Sequence, residues 1–316
     1  MGAPGTHGIA WPDGKRFAFS VIDDTDGCTV EQVAPVYDFL LDLGIVTTKT
    51  VWPLTARNPR PEGGQSLEEP EYRAWVLSLQ ERGVEIASHG AANEPSTRER
   101  TILGLELFRD VVGRDPRIYT VHVGQRDGLY WGSARLDGPA RIAYRLTHGV
   151  RGSDNSTSGH IEQSPFYWGD LCRTHISYVR NLVFSDIDTL AQDPIMPYHD
   201  PARPCVPMWF SASDGARIAS FLRLTSERNQ DRLAASGGAC IAYTHFAYGF
   251  TECGRPHPEF RRLMERLAGL GGWFVPVSTL LDHLKTRPDW KPEVDRRRLA
   301  RMQWKWLLGK LRTGTT

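Results

Sequence analysis

Short apolar segments alternate with amphipathic segments along the first 123 residues. The apolar segments have the length and β-branched content of buried strands, and they cover Phe17–Ile22, Ile45–Val51, Val84–Ser88 and Arg117–Val123. The amphipathic segments repeat apolar residues at helical spacing, and they cover Val30–Leu43, Leu67–Arg82 and Ser96–Val112. Strands and helices in alternation predict a parallel sheet, either open or closed into a barrel.

The pattern is less regular in the middle of the chain and resumes in its last quarter. Segment 149–159 is polar and predicts a surface loop or a lid. The later segments again predict alternating strands and helices, and they cover Ala239–Thr244, Pro258–Leu270, Trp273–Val275 and Ser278–Leu284. Near the start of the third helix, Ser96 followed by Glu99 predicts a capping box.

The end of the chain differs from the rest in charge. Residues 291–316 hold eight cations and two anions, while the whole chain has a net charge of only +1. We therefore divide the chain into a barrel over 1–290 and a basic amphipathic helix over 291–316. Within 295–312 an apolar stripe is flanked by Arg and Lys, which predicts either peripheral contact with an anionic membrane or a terminal helix packed on the barrel. No nucleic-acid-binding motif accompanies the charge.

Composition narrows the class of protein and its compartment. The chain has 40% apolar and 24% charged residues, which is typical of a globular protein. Its five cysteines are an odd number without paired spacing, so they predict neither a zinc knuckle nor a disulfide framework. The first residues lack the apolar core of a signal peptide. We expect a cytoplasmic protein, with membrane association through the basic helix as an option.

Polar side chains follow three of the predicted strands. An acidic segment that contains Asp23, Asp24 and Asp26 follows the first strand, His89 follows the third, and His245 follows a late strand. Each alone also fits an acidic turn or an ordinary imidazole. Since the carboxyl ends of parallel strands meet at one edge, we expect these side chains to surround one cavity, where carboxylates and imidazoles bind a divalent ion.

These segments resemble the motifs of the polysaccharide deacetylase superfamily. SVIDD is similar to the family's first motif, which implies that Asp23 is the general base and Asp24 a metal ligand. EIASHGAANEP is similar to the second motif and implies His89 as a ligand, while CIAYTH is similar to the last and implies His245 as the general acid. The resemblance covers roughly 15–125 and 237–285 and implies a distorted parallel β/α barrel.

The sequence departs from the family's pattern at two places. The family's second metal histidine falls on Asn93, whose amide oxygen is a poorer zinc ligand than imidazole. Asp26 and His122 are alternatives for this ligand. The arginine that orients the base in the family is absent near YTVHVGQ, where His122 or Gln125 is the predicted substitute. Trp131 is one of several aromatic residues predicted to stack on a sugar ring.

The resemblance implies a hydrolase that removes an N-acyl group from an amino sugar of a glycan or glycolipid, with a divalent metal, zinc above others, as cofactor. Asp23 would then accept a proton from water and His245 would protonate the leaving amine. Two alternatives stay open. One is a metal-independent amidohydrolase acting on a small cyclic amide, and the other is a carbohydrate-binding relative without activity.

Overall fold

Seven parallel strands close into a barrel in the computed structural model, which describes residues 8–148 and 157–313. The strands are β1 (Ala18–Asp23), β2 (Thr48–Val51), β3 (Glu85–Ser88), β4 (Ile118–Tyr119), β5 (Tyr178–Phe184), β6 (Trp209–Asp214) and β7 (Ala239–Thr244). β1 pairs with β2 on one side and with β7 along its whole length on the other, which closes the ring. The predicted parallel β/α barrel is confirmed.

The barrel is distorted at β1. Its C-terminal half pairs with β2, whereas its N-terminal half pairs with the short strand β10, Trp273–Phe274. β10 therefore lies beside the N-terminal half of β1, where β2 does not pair with it. The remaining strands, β8 (Thr251–Glu252) and β9 (Arg255–Pro256), form a small antiparallel pair outside the barrel.

Eleven helices are seen in the described residues, and most of them pack around the barrel. They are α1 (Val30–Asp42), α2 (Pro70–Glu81), α3 (Arg98–Val112), α4 (Gly138–His148), α5 (Gly169–His175), α6 (Thr189–Gln192), α7 (Ile218–Leu224), α8 (Glu227–Ser236), α9 (Pro258–Ala268), α10 (Val277–Leu284) and α11 (Arg296–Thr313). The capping box predicted at Ser96 is wrong. Helix α3 has Thr97 as its N-cap without a side-chain bond, and the Ser96 hydroxyl donates to the carbonyl of Glu94.

Side-chain alternation along the strands separates two apolar layers. In β1 the side chains of Phe17, Phe19 and Val21 pack outward against the helices, while Ala18 and Ile22 pack inside the barrel. The same alternation holds in β7, where Ile241 faces inward. Because successive residues of a strand point to opposite faces, the parity of a residue decides whether its side chain can reach the mouth of the barrel.

Two barrel strands lie in the irregular middle of the chain and were not predicted. β5 and β6 share the longest run of pairing on that side of the barrel, with a register shift between Arg180 and Val183. Most of segment 149–159, predicted as a loop or lid, lies outside the described residues, which resume at Thr157.

The C-terminal helix α11 packs on the barrel. Its inner stripe of Leu299, Met302, Trp306 and Leu307 is buried against residues of β5 and of the segment before it. The stripe is the one predicted from the sequence. Trp304 and Leu308 are exposed on the outer side of the helix. No helix in the described residues is long and apolar enough to cross a membrane.

A buried carboxyl far from the barrel mouth makes the stability of the fold depend on pH. Burial raises the pKa of Asp193 to about 7, although the Ser211 hydroxyl donates to it. The unfolded carboxyl has its ordinary, lower pKa. Between the two values the folded chain holds a proton that the unfolded chain has released, so stability falls as pH rises.

We therefore expect wild-type protein to lose on the order of 3 kcal/mol through this group between about pH 5 and pH 8. Asp193→Asn, which carries no charge, should remove that part of the pH dependence. The measurement is urea unfolding of both proteins at the two pH values. Equal pH dependence in the two proteins would show that Asp193 ionises normally.

Candidate active site

The C-terminal ends of the strands surround a polar cavity of about 250 Å³. Its lining combines carboxylates, imidazoles, guanidinium groups and aromatic rings: Asp24, Asp26, Arg60, Glu62, His89, Val121, His122, Val123, Trp131, Arg180, Val183, Arg217, Tyr243, His245 and Tyr248. The predicted convergence of Asp24, His89 and His245 at one cavity is therefore observed. His122 and Trp131, predicted to contact the substrate, line the same cavity.

Strand parity explains why these side chains meet. His89 continues the inward-facing parity of Ala87 beyond the end of β3, and His122 continues that of Ile118 beyond β4. His245 continues the parity of Ile241 and Tyr243 beyond β7. Each imidazole lies at the mouth of the barrel because it follows a strand whose inward-facing side chains pack in the apolar interior.

Asp24 is held by a buried arginine from β5. The two terminal nitrogens of Arg180 donate to the two carboxylate oxygens of Asp24 at 3.0 and 2.5 Å. Arg180 also lies 4.2 Å from the centre of the Tyr243 ring. Burial acts to raise the pKa of Asp24, but the charges of Arg180, His89 and His245 and the hydrogen bond from Arg180 together outweigh it, and the pKa lies below its usual value. Asp24 is thus a fixed carboxylate with a bidentate partner.

Asp26 is the centre of the cavity, because three imidazoles face its carboxylate. Its Oδ1 lies 2.5 Å from Nε2 of His122. Its Oδ2 lies 3.1 Å from Nε2 of His89 and 3.2 Å from Nε2 of His245. Burial acts to raise the pKa of Asp26, but the charge of His89 and the hydrogen bonds of the three imidazoles lower it well below its ordinary value.

The hydrogen bonds on the far side of two imidazoles fix their tautomers. The Thr120 hydroxyl donates to Asp24, so it must accept the hydrogen bond from Nδ1 of His89. Nδ1 of His245 lies 2.8 Å from the carbonyl oxygen of Ala216 and therefore carries a proton as well. In the neutral form of either ring, Nε2 then points a lone pair at Asp26.

The tautomer of His89 fits a divalent cation among Asp26, His89 and His122. A carboxylate faced by imidazole lone pairs is stable only with a proton or a metal ion between them. One carboxylate with two imidazoles is a donor set that zinc accepts. The hydroxyl that receives Nδ1 of His89 provides the outer support usual for metal-binding histidines. The ligand atoms of these three residues lie within 4.8 Å of one another, and so do those of Asp24, Asp26 and His245.

His245 differs from the other two imidazoles in its surroundings. Burial acts to lower its pKa, but the hydrogen bond and the charge of Asp26 outweigh this and the pKa is raised. The Tyr243 hydroxyl lies 3.4 Å from Nε2, and the Tyr248 ring packs against the imidazole at 4.9 Å. His245 is therefore the imidazole of the cavity that is best suited to carry a proton.

The structure does not bring Asp23 to the cavity. Asp23 has the outward parity of Val21, and its carboxylate lies among the helices, 3.0 Å from the buried ammonium group of Lys49. The Tyr37 hydroxyl donates to the same oxygen, and the backbone N–H of Phe246 donates to the other. This placement corrects the expectation that Asp23 acts as general base, because its carboxylate lies outside the cavity and cannot reach a substrate there.

Two more predicted site residues have structural contacts instead. The amide nitrogen of Asn93 donates to the carbonyls of Arg60 and Gly63, so Asn93 supports the loop at the cavity wall. Asp26 and His122, the two alternatives named from the sequence, both lie beside His89 in a group that could hold a metal ion. Gln125 donates to the carbonyl of Ala92 and is not among the lining residues. Neither residue has the predicted position.

The residues that sequence reasoning missed come from the unpredicted middle and from strand interiors. Arg180, on the unpredicted strand β5, donates to both carboxylate oxygens of Asp24. A signal for it was present, because YVRNLVF is an apolar, β-branched run with one arginine, and a charge inside a buried strand needs a partner. Thr120 carried no such signal, since a threonine in a strand is ordinary.

The chain matches no protein-family model, and no curated protein is similar to it in sequence. Among solved structures it is similar to peptidoglycan deacetylase PdaC from Bacillus subtilis, with 13% identity, a TM-score of 0.44 and coverage of 87% of this chain and 94% of that one. The chitin deacetylase from the fungal pathogen Colletotrichum lindemuthianum has 15% identity, a TM-score of 0.42 and coverage of 89% and 94%.

A GH57-type branching enzyme from Pyrococcus horikoshii is also similar, with 10% identity, a TM-score of 0.45 and coverage of 89% of this chain and 72% of that one. Two of these solved structures are thus deacetylases and one is a branching enzyme. The likeness concerns the fold.

Proposed function

We propose that this chain is a hydrolase that removes an N-acyl group from an amino sugar of a glycan or glycolipid. The observation that carries the proposal is the Asp26 carboxylate faced by three imidazoles, beside a second carboxylate held by Arg180. Such a cavity offers a metal site, a base and an acid within a few ångströms of one another, which amide hydrolysis requires.

Asp26, His89 and His122 would hold a divalent ion, for which zinc is our first choice. When bound, such an ion lowers the pKa of a water molecule towards neutrality and polarises the scissile carbonyl. Asp26 would be the central ligand, because the Nε2 atoms of His89 and His122 both face its carboxylate. Thr120 holds His89 in the tautomer that leaves Nε2 free for binding.

Asp24 takes the role of base in this proposal. Arg180 and Thr120 keep it ionised and fix its orientation, so it is ready to accept a proton from the attacking water. His245 takes the role of acid. The carbonyl of Ala216 holds its ring, and its raised pKa keeps a proton available for the leaving amine.

A carbohydrate substrate suits the walls of the cavity. Trp131 lines it from the loop after β4, with the Arg135 guanidinium 4.1 Å from the centre of its ring. Tyr248 lines the opposite side, next to His245. Aromatic rings of this kind pack against the apolar face of a sugar, while hydroxyl and charged groups bind its polar edge.

We expect Asp24→Asn and His245→Ala each to lower kcat by about 100-fold or more, as the loss of a base or an acid does. The measurement is acetate release from N-acetylglucosamine oligosaccharides by zinc-loaded protein. Asp110→Asn, which replaces an exposed aspartate on α3, serves as the matched control and should keep wild-type turnover. Near-normal turnover in Asp24→Asn or His245→Ala would remove the assigned role.

Metal removal separates the proposal from its two alternatives. We expect exhaustive chelation to abolish turnover, and added zinc to restore it. Turnover that survives in metal-free protein would favour an amidohydrolase without metal. Binding of the oligosaccharide without turnover under any divalent metal would favour a carbohydrate-binding protein.

A further inference from the structure

Exposed apolar side chains are concentrated on two neighbouring helices. Eight large apolar side chains are exposed in the described residues, and five of them lie on α4 and α11: Ile142, Leu146, Trp304, Leu308 and Leu311. Helices α4 and α11 contact each other through Tyr144 and Trp306, whose rings stack at 5.9 Å. Ile142 and Leu146 are each two residues from Tyr144, so they point away from this contact.

The outer face of α11 is also basic. At helical spacing, Arg297 and Arg301 lie on the same face as Trp304, Leu308 and Leu311. The helix has seven cations and no acid between Arg296 and Thr313. Arg296 pairs with Asp137 and Asp200, whereas Arg297 and Arg301 have no carboxylate within 4.0 Å in the described part of the chain. We call this outer face of α11, on the helix that contacts α4, the α4–α11 surface.

We propose that the α4–α11 surface docks onto an anionic lipid bilayer. Apolar side chains interleaved with unpaired cations match the two layers of such a membrane, its acyl boundary and its anionic headgroups. A nucleic acid would pair with the cations but leave Trp304 and Leu308 in water. A second copy of the chain would bring one acid-free helix against another, and the like charges would repel.

The surface lies beside the candidate active site. Val183 of β5 lines the active-site cavity, and it also lines a second cavity between β5 and α11 that includes Lys305 and Leu308. The outer face of α11 therefore meets the mouth of the barrel at one edge. A protein docked in this way presents its cavity close to the headgroup layer. The proposal concerns only the docking and does not depend on the reaction.

The test is co-sedimentation of the full chain with phosphatidylcholine vesicles, with and without phosphatidylglycerol. We expect binding only where phosphatidylglycerol is present, and loss of binding between about 0.1 M and 1 M salt as the Debye length shrinks. Arg297→Gln with Arg301→Gln should weaken binding roughly 25-fold, since each cation near the surface contributes about 5-fold. Trp304→Ser with Leu308→Ser should weaken it about 10-fold or more.

Matched variants elsewhere on the surface control for composition. Arg223→Gln with Arg228→Gln removes two exposed cations, and Leu103→Ser with Ile161→Ser removes two exposed apolar side chains. Both should bind vesicles like the wild type. Equal binding to neutral and anionic vesicles, control variants that weaken as much as those on α11, or tighter binding to a DNA duplex at the same salt would each overturn the proposal.

Discussion

Asp26→Asn should lower zinc affinity about 100-fold or more and lower turnover to a similar extent, because even outer supports of metal ligands contribute 10- to 100-fold. The substitution keeps the size of the side chain and one oxygen, but it removes the charge that three imidazoles face. An amide oxygen is a poorer ligand for zinc than a carboxylate oxygen.

Zinc content after gel filtration and competition with a chromophoric chelator measure this effect without relying on activity. Glu62→Gln is the matched control, since Glu62 lines the same cavity but faces Arg60 at 3.7 Å and not the imidazoles. It should bind zinc like the wild type. Full zinc occupancy in Asp26→Asn would mean that the ion does not depend on Asp26, which belongs to both candidate groups of ligands, and would remove the proposed metal site.

Asp23→Asn should destabilise the fold by about 3–5 kcal/mol, since it leaves the ammonium of Lys49 buried without its counter-charge. Lys49 and Asp23 are among the most deeply buried charged residues of the described chain, with 0% and 1% of their side chains exposed. The asparagine oxygen can still accept from the N–H of Phe246, so the segment that carries His245 keeps one anchor.

Urea unfolding distinguishes this role from catalysis. The double variant Asp23→Asn with Lys49→Met removes both charges together and should be far less destabilised than the sum of the two single variants. A general base would behave differently, with lost turnover at unchanged stability. Unchanged stability in Asp23→Asn would contradict the placement of Asp23 beside Lys49.

The order of strands and helices was predictable wherever the apolar pattern was regular. β1, β3 and β7 are close to the segments expected from the sequence, because their buried, β-branched cores fix them locally. β5 and β6 were not predicted, because proline-rich and polar segments surround them. Their assignment as strands depends on long-range pairing, which no local window of sequence contains.

The location of the candidate site could be predicted from the sequence, but not which residue at the end of a strand faces the cavity. Asp23 and Asp24 are equally acidic, and only strand parity decides which of them faces the cavity. In the structure Phe17, Phe19 and Val21 pack against the helices, and Asp23, which has the same parity, lies on that side as well. The prediction that Asn93 is a metal ligand, by contrast, could be corrected only from the structure, because the contacts of Asn93 depend on the conformation of a loop.

The hydrogen bond from the N–H of Phe246 to Asp23 joins residues 223 positions apart. It lies where β1 and β7 pair to complete the barrel. Contacts of such long sequence separation form late in folding. During synthesis, β1 therefore leaves the ribosome long before β7, and the barrel cannot close until both strands are present.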